Sequence, residues 1–228
     1  MALLVFWALV AAPSPGRALR LEKLVDRLQA KYESTRTLVA SFEQENRLKT
    51  LGTSQLSQGR VYIHKPGRVR WEYQSPEPQL LVSDGETFWV YTPRLKQVIV
   101  SPVGRAFASP TPATFLGGSG DLRKTFRFRL LESPRDGKGN YRLELIPREG
   151  SVHRTGGSIQ KLTLVVGAKS FQILETAILD PMGNLTSVRF TRVEEGVELA
   201  PSLFRFQVPP DVEVVRPPRL PASPPAGR

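Results

Sequence analysis

Gly59-Arg60-Val61-Tyr62-Ile63-His64-Lys65-Pro66-Gly67-Arg68-Val69-Arg70-Trp71-Glu72-Tyr73-Gln74-Ser75-Pro76 is the stretch on which the fold turns. Val61 and Ile63 alternate with polar neighbours, Pro66-Gly67 interrupts, and Val69, Trp71 and Tyr73 then alternate with Arg68, Arg70 and Glu72. Successive strand side chains point to opposite faces, so each run presents one apolar face. Proline followed by glycine is turn chemistry. The segment therefore predicts two antiparallel strands. A second hairpin follows at once: Leu80 and Val82, the turn Ser83-Asp84-Gly85-Glu86, then Phe88-Trp89-Val90-Tyr91.

Upstream, Leu21, Leu24, Val25, Leu28 and Tyr32 recur at helical spacing, which predicts an amphipathic helix from Leu19 to Glu33. Leu38, Ala40, Phe42 and Gln44 alternate with Val39, Ser41 and Glu43 as a first strand. Downstream, Lys96 to Ser101 reads as a strand after the Thr92-Pro93 turn. From Arg105 to Lys124 the period is lost among Phe107, Pro110, Pro112, Phe115, Leu116, Gly117, Gly118 and Gly120. Pro112 suits the first position of a short helix ending at Leu116, and a second turn is expected over Asp121–Thr125. Bulky apolar residues among glycines suit a movable flap.

Strands then resume around Phe126, Phe128 and Leu130, around Tyr141, Leu143 and Leu145, and around Leu162, Leu164 and Val166. Phe171, Ile173, Glu175 and Ala177 make the next, and the turn Pro181-Met182-Gly183-Asn184 leads into Leu185, Val188, Phe190 and Val193. Phe204 and Phe206 are expected in a last short strand. About ten strands at regular spacing predict a mainly β chain with a few helices, its antiparallel sheet curled toward a barrel.

The 228 residues suffice for one domain with a real core. There is no cysteine, which excludes disulfides, thiolate metal sites and cysteine nucleophiles. The net charge of +11 favours anionic partners without choosing among them. Leu3 to Ala12 is an apolar run too short to span a bilayer, broken by Pro13-Ser14-Pro15 and followed by Gly16-Arg17-Ala18. Residues 1–18 therefore read as a secretory signal cut after Ala18, although basic residues before the apolar run are missing. Residues 216–228, mostly Pro, Ala and Arg, are expected to be a disordered tail.

Little points to catalysis. His64 and His153 do not sit in metal-ligand spacing, and no nucleophile elbow, zinc-protease helix or phosphate loop is present. Ser83-Asp84-Gly85 is hairpin chemistry, and Gly117-Gly118-Ser119-Gly120 lacks the lysine of a P-loop. The expectation is a protein without enzymatic activity or cofactor.

The order and spacing of several motifs resemble the LolA family of periplasmic lipoprotein carriers, from about Leu19 to Val215. They include Phe42-Glu43-Gln44, Gly59, Lys65-Pro66-Gly67-Arg68, Trp71-Glu72-Tyr73, Leu81-Val82-Ser83-Asp84-Gly85, Trp89-Val90-Tyr91, Asp180 with Gly183-Asn184, and Phe204-Arg205-Phe206. The resemblance implies an incomplete, open β-barrel covered by a helical lid. It implies a monomer in the periplasm that takes acylated lipoproteins from an inner-membrane ABC transporter and hands them to an outer-membrane receptor. No nucleic acid is expected as partner.

The resemblance also implies site residues. The family's lid arginine, which bonds lid carbonyls, falls on Lys65, with Arg68 as a substitute and the carbonyls of Leu28, Leu116 and Gly117 as partners. The acyl-chain cavity is expected to be lined by Leu24, Phe42, Val61, Ile63, Val69, Trp71, Tyr73, Trp89, Tyr91, Phe115 and Leu116. Two other functions fit the residues: carriage of another lipid such as a glycolipid, and binding of an anionic polymer by strand arginines such as Arg127, Arg129 and Arg142.

Overall fold

The computed structural model describes residues 15–106, 116–117, 121–148 and 159–216. The expectations for the start of the leader, for the helix before Leu116 with Phe115, and for the tail beyond residue 216 lie outside the described residues. The first helix, α1, spans Pro15–Ser34, beginning earlier than its apolar pattern suggested. Twelve strands follow: β1 (Thr37–Leu48), β2 (Thr53–His64), β3 (Arg68–Ser75), β4 (Gln79–Asp84), β5 (Thr87–Thr92), β6 (Gln97–Pro102), β7 (Phe126–Arg135), β8 (Tyr141–Pro147), β9 (Lys161–Val166), β10 (Ile173–Leu179), β11 (Leu185–Glu195) and β12 (Glu213–Val215). Two short helices, α2 (Val103–Ala106) and α3 (Leu122–Thr125), flank the aperiodic segment.

All the described strands join one sheet in the order β12-β6-β5-β4-β3-β2-β1-β11-β10-β9-β8-β7. Its ends, β12 and β7, do not pair, so the sheet is open. Neighbours are antiparallel except β12, which runs parallel to β6. The quoted hairpin is β2 with β3, in the register Val61↔Trp71 and Ile63↔Val69.

One face of the sheet carries α1. Leu24, Leu28 and Tyr32 of the helix are buried against Leu143, Leu145, Leu162, Leu164 and Ile178. A second cluster on the same face joins Ala40, Phe42, Val61, Ile63, Val69, Trp71, Val188 and Phe190. Phe42 is the hinge of that cluster, its ring 4.6 Å from Trp71 and 5.1 Å edge-on from Tyr73. Asp121 caps α3 by accepting from Arg123 N at 2.8 Å. Arg123 in turn ties α3 to α1 through Glu22 and Asp26 at 2.7 and 2.6 Å.

Four expectations need correction. Phe171 is not in a strand: its φ of +55° puts it in the Gly167–Gln172 turn, and β10 begins only at Ile173. Phe204 and Phe206 form no strand. Pro201 starts a 3-10 helix, Pro201–Phe204, that buries Phe204 on the face away from α1, and the last strand is β12. That same back face receives Trp89 and Tyr91, whose rings lie 6.4 and 5.3 Å from Phe206. The reason is register. Val69 and Trp71 face α1, Ser83 and Leu81 lie opposite them, and Phe88 and Val90 opposite those, so Trp89 and Tyr91 must point away. Finally, β1 and β2 extend to Leu48 and back from Thr53, longer than the apolar alternation indicated.

Candidate functional site

The turn between β2 and β3 is anchored to α1 by one side chain. Lys65 Nζ donates to the backbone carbonyl of Tyr32 at 2.7 Å and lies 3.3 Å from the centre of the Tyr32 ring. Tyr32 is in the last helical turn, where carbonyls lack an intrahelical donor and carry the negative end of the helix dipole. A lysine from outside the helix is therefore a natural cap. The Leu28 carbonyl, one turn earlier, lies inside the helix, where the ladder bond engages it. This is why Tyr32 accepts in its place. Gly117 is a partner of the same turn by another route: its carbonyl accepts from Gly67 N at 3.3 Å.

Arg68 does not share this role. It alternates with Val69 onto the back face and meets His64 Nε2 at 3.1 Å, beside Phe204.

Burial pushes the Lys65 ammonium down to about 8, against the pull of the Glu33 and Glu195 carboxylates. Burial also raises the Tyr32 phenol, keeping it neutral. Between about 8 and 10.5 the folded chain thus holds fewer protons at Lys65 than the unfolded chain, so stability rises with pH across that window. Relative to Lys65→Gln, the wild type is expected to gain at most about 3 kcal/mol from pH 8 to 10.5, reduced by solvent screening of the half-buried ammonium. Urea unfolding at both ends of the window measures it. An unchanged difference would contradict the burial of the ammonium.

Around this contact lies a cavity lined by Leu28, Tyr32, Leu38, Ile63, Leu116, Phe171, Ile173, Phe190 and Val193, with Lys31, Thr35, Lys65 and Glu195 at its rim. Lys31 and Glu195 form an ion pair there. The lining is mostly apolar, yet the cavity holds only about 40 Å³. That is room for about one water of ~30 Å³, and well below the ~150 Å³ at which an apolar cavity takes up benzene.

Of the residues named from sequence, Leu24, Leu28, Phe42, Val61, Ile63, Val69, Trp71 and Leu116 are buried, and Tyr73 is half-buried, all on the face that carries α1 or under it. Trp89 and Tyr91 are not among them. Tyr32, Phe171 and Phe190 were not named for the site. Only the place of Tyr32 in the last helical turn hinted at its capping role. Among the described residues no helix is long and apolar enough to cross a membrane.

The chain is similar to known proteins along most of its length. The family described as outer membrane lipoprotein carrier protein LolA matches residues 33–207. An outer-membrane lipoprotein carrier protein of Dechloromonas aromatica is 33% identical over 84% of this chain and 86% of its own. That of Nitrosospira multiformis is 34% identical over 82% and 86%. The crystal structure of an uncharacterized conserved protein from Thermus thermophilus shares the fold, with a TM-score of 0.53 at 17% identity over 86% of this chain and 98% of that one.

Proposed function

The chain belongs to the LolA family of outer membrane lipoprotein carrier proteins, and from that premise we propose that it shelters the acyl chains of lipoproteins between the inner and outer membranes. The observation that supports this reading is the apolar cavity of about 40 Å³ beside α1, with Lys65 bonded to the Tyr32 carbonyl at its rim. Exposed acyl chains cost about 0.8 kcal/mol per methylene in water. A shelter that opens to load and closes when empty meets that need. In this reading α1 and the segment around Leu116 are the lid, and the 40 Å³ arrangement is the unloaded, closed form.

The same reading assigns residues 1–18 to a secretion signal, residues 19–215 to the carrier domain and residues 216–228 to a tail. It places the protein in the periplasm as a monomer that carries out no chemistry. Its partners are an inner-membrane lipoprotein-releasing ABC transporter and an outer-membrane receptor.

The test is release. Spheroplasts that retain outer-membrane lipoproteins are incubated with the purified chain, and the supernatant is examined by mass spectrometry. Soluble one-to-one complexes with acylated lipoproteins are the expected result. Absence of release, with cognate membranes and a working family carrier as control, rejects the proposal.

A further inference from the structure

The face that carries α1 changes character along the long β1–β2 hairpin. Near the latch its residues are Ala40 and Phe42. Toward the hairpin tip the same face presents Gln44 and Asn46 of β1, Gln55 of β2 and Thr186 of β11. These polar residues, with Trp71, Tyr73, Leu81 and Ile178, line a cleft of about 420 Å³, larger than the cavity beside Lys65.

The polar groups are connected. Tyr73 Oη donates to Gln44 Oε1 at 3.0 Å, and Gln44 Nε2 donates to Asn46 Oδ1 at 3.1 Å. Burial pushes the Tyr73 phenol up to about 12, opposed by its hydrogen bond to Gln44 and by the nearby Trp71 indole, so it remains a neutral donor. Trp71 is 1% exposed, and its Nε1 has no partner at hydrogen-bond geometry, although it lies close enough to influence the Tyr73 hydroxyl. A buried N–H without a partner is rare and costs about 1–3 kcal/mol.

The chemistry of this set is specific. Every donor is an uncharged amide, hydroxyl or indole. Arg47, at the rim, belongs to the other face and is held by Glu45 through two bonds at 2.7 and 2.9 Å. Asp180, also at the rim, brings negative charge and is occupied by Asn184. An anionic headgroup would meet a carboxylate and no free cation in this lining. An uncharged carbonyl would meet the amide donors of Gln44 and Asn46, with the unpartnered Trp71 indole N–H buried behind them.

We propose that Gln44, Asn46, Tyr73 and Trp71 form a polar subsite for the ester and amide carbonyls that join acyl chains to the first residue of a lipoprotein. The proposal rests on the carrier reading and adds to it which part of the cargo is recognised. The acyl chains run toward the apolar clusters, and the linkage stays at the cleft, where neutral donors replace the water it loses. Chains alone give affinity without identity; the linkage distinguishes a lipoprotein from a phosphate-bearing lipid.

The experiment compares two lipopeptides of equal chain length on the purified chain, one with ester-linked chains and one with ether-linked chains. Both are read by displacement of a fluorescent fatty acid. The ester form is expected to bind about tenfold more tightly, since net hydrogen bonds to carbonyls of this kind sum to about one factor of ten. In Gln44→Leu and in Asn46→Leu the ratio is expected to fall toward one. Tyr73→Phe keeps the packing and is expected to reduce the ratio in part. Circular dichroism checks that each variant is folded. Equal affinity for the two lipids in the wild type overturns the subsite while leaving the carrier reading intact. So does a ratio that survives in the variants, or tighter binding of a phosphatidylglycerol of equal chain length. Binding of neither lipopeptide overturns both readings.

Discussion

Lys65→Ala is expected to speed the exchange of a bound fluorescent diacyl lipid about tenfold. The argument sets two opposing quantities against each other. A hydrogen bond from a charged donor contributes about 1.5–3 kcal/mol, and the ammonium over the Tyr32 ring adds about 0.5–2 kcal/mol. Against this stands the burial cost that already drives the ammonium down to about 8. At the upper end of those gains the surplus over this cost is about 1.5 kcal/mol, which corresponds to roughly a factor of ten. The substitution also strips a cap from the last turn of α1, so amide exchange there should quicken with lipid exchange. Lys65→Arg is expected to restore the slow rate, because a planar guanidinium offers more donors and stays charged. An exchange rate unchanged in Lys65→Ala would mean that the Tyr32 contact does not hold the helix down.

Gly59→Ala is expected to cost about 3 kcal/mol or more of stability, the upper range for an overpacked core. Gly59 is not required for a left-handed backbone. What it provides is room. A Cβ there would sit 1.8 Å from the Glu72 carbonyl oxygen and 2.9 Å from Phe42 Cζ. The first contact is with backbone, so it is relieved only by moving β2 away from β3 at the irregularity between Gln58 and Gly59. The second displaces the ring around which Trp71 and Tyr73 pack. Thermal unfolding should fall by about 6–12 °C for a domain of this size. A melting temperature within a degree or two of wild type would show that the strands can part there freely.

Much of this architecture was legible in the chain because it depends on local period. The helix from Leu21 to Tyr32, the β2–β3 and β4–β5 hairpins, and the short turn over Asp121–Thr125 all follow from spacing and turn chemistry. So does the grouping of Val61 with Ile63 and of Val69 with Trp71 on one face of their strands, since they alternate regularly along the chain. Apolar alternation fails where a strand has polar residues on both faces, which is why the Thr53–Gln58 part of β2 carries no strand signal in the sequence. It also fails for Phe204 and Phe206, where proline chemistry outweighed the alternation.

The sequence by itself determined the class of fold, the hairpin that carries Lys65 and the family resemblance, since each rests on neighbours along the chain. The tertiary structure alone decided which way each face turned. Alternation shows that Trp89 and Tyr91 share a face with each other, but only pairing across β3, β4 and β5 puts that face opposite Trp71. It likewise decided that Lys65 meets Tyr32 and that Gln44 meets Tyr73, contacts between residues 33 and 29 positions apart. The physical reason is that a period of two specifies two faces without naming either, and a hydrogen bond across the fold has no local signature.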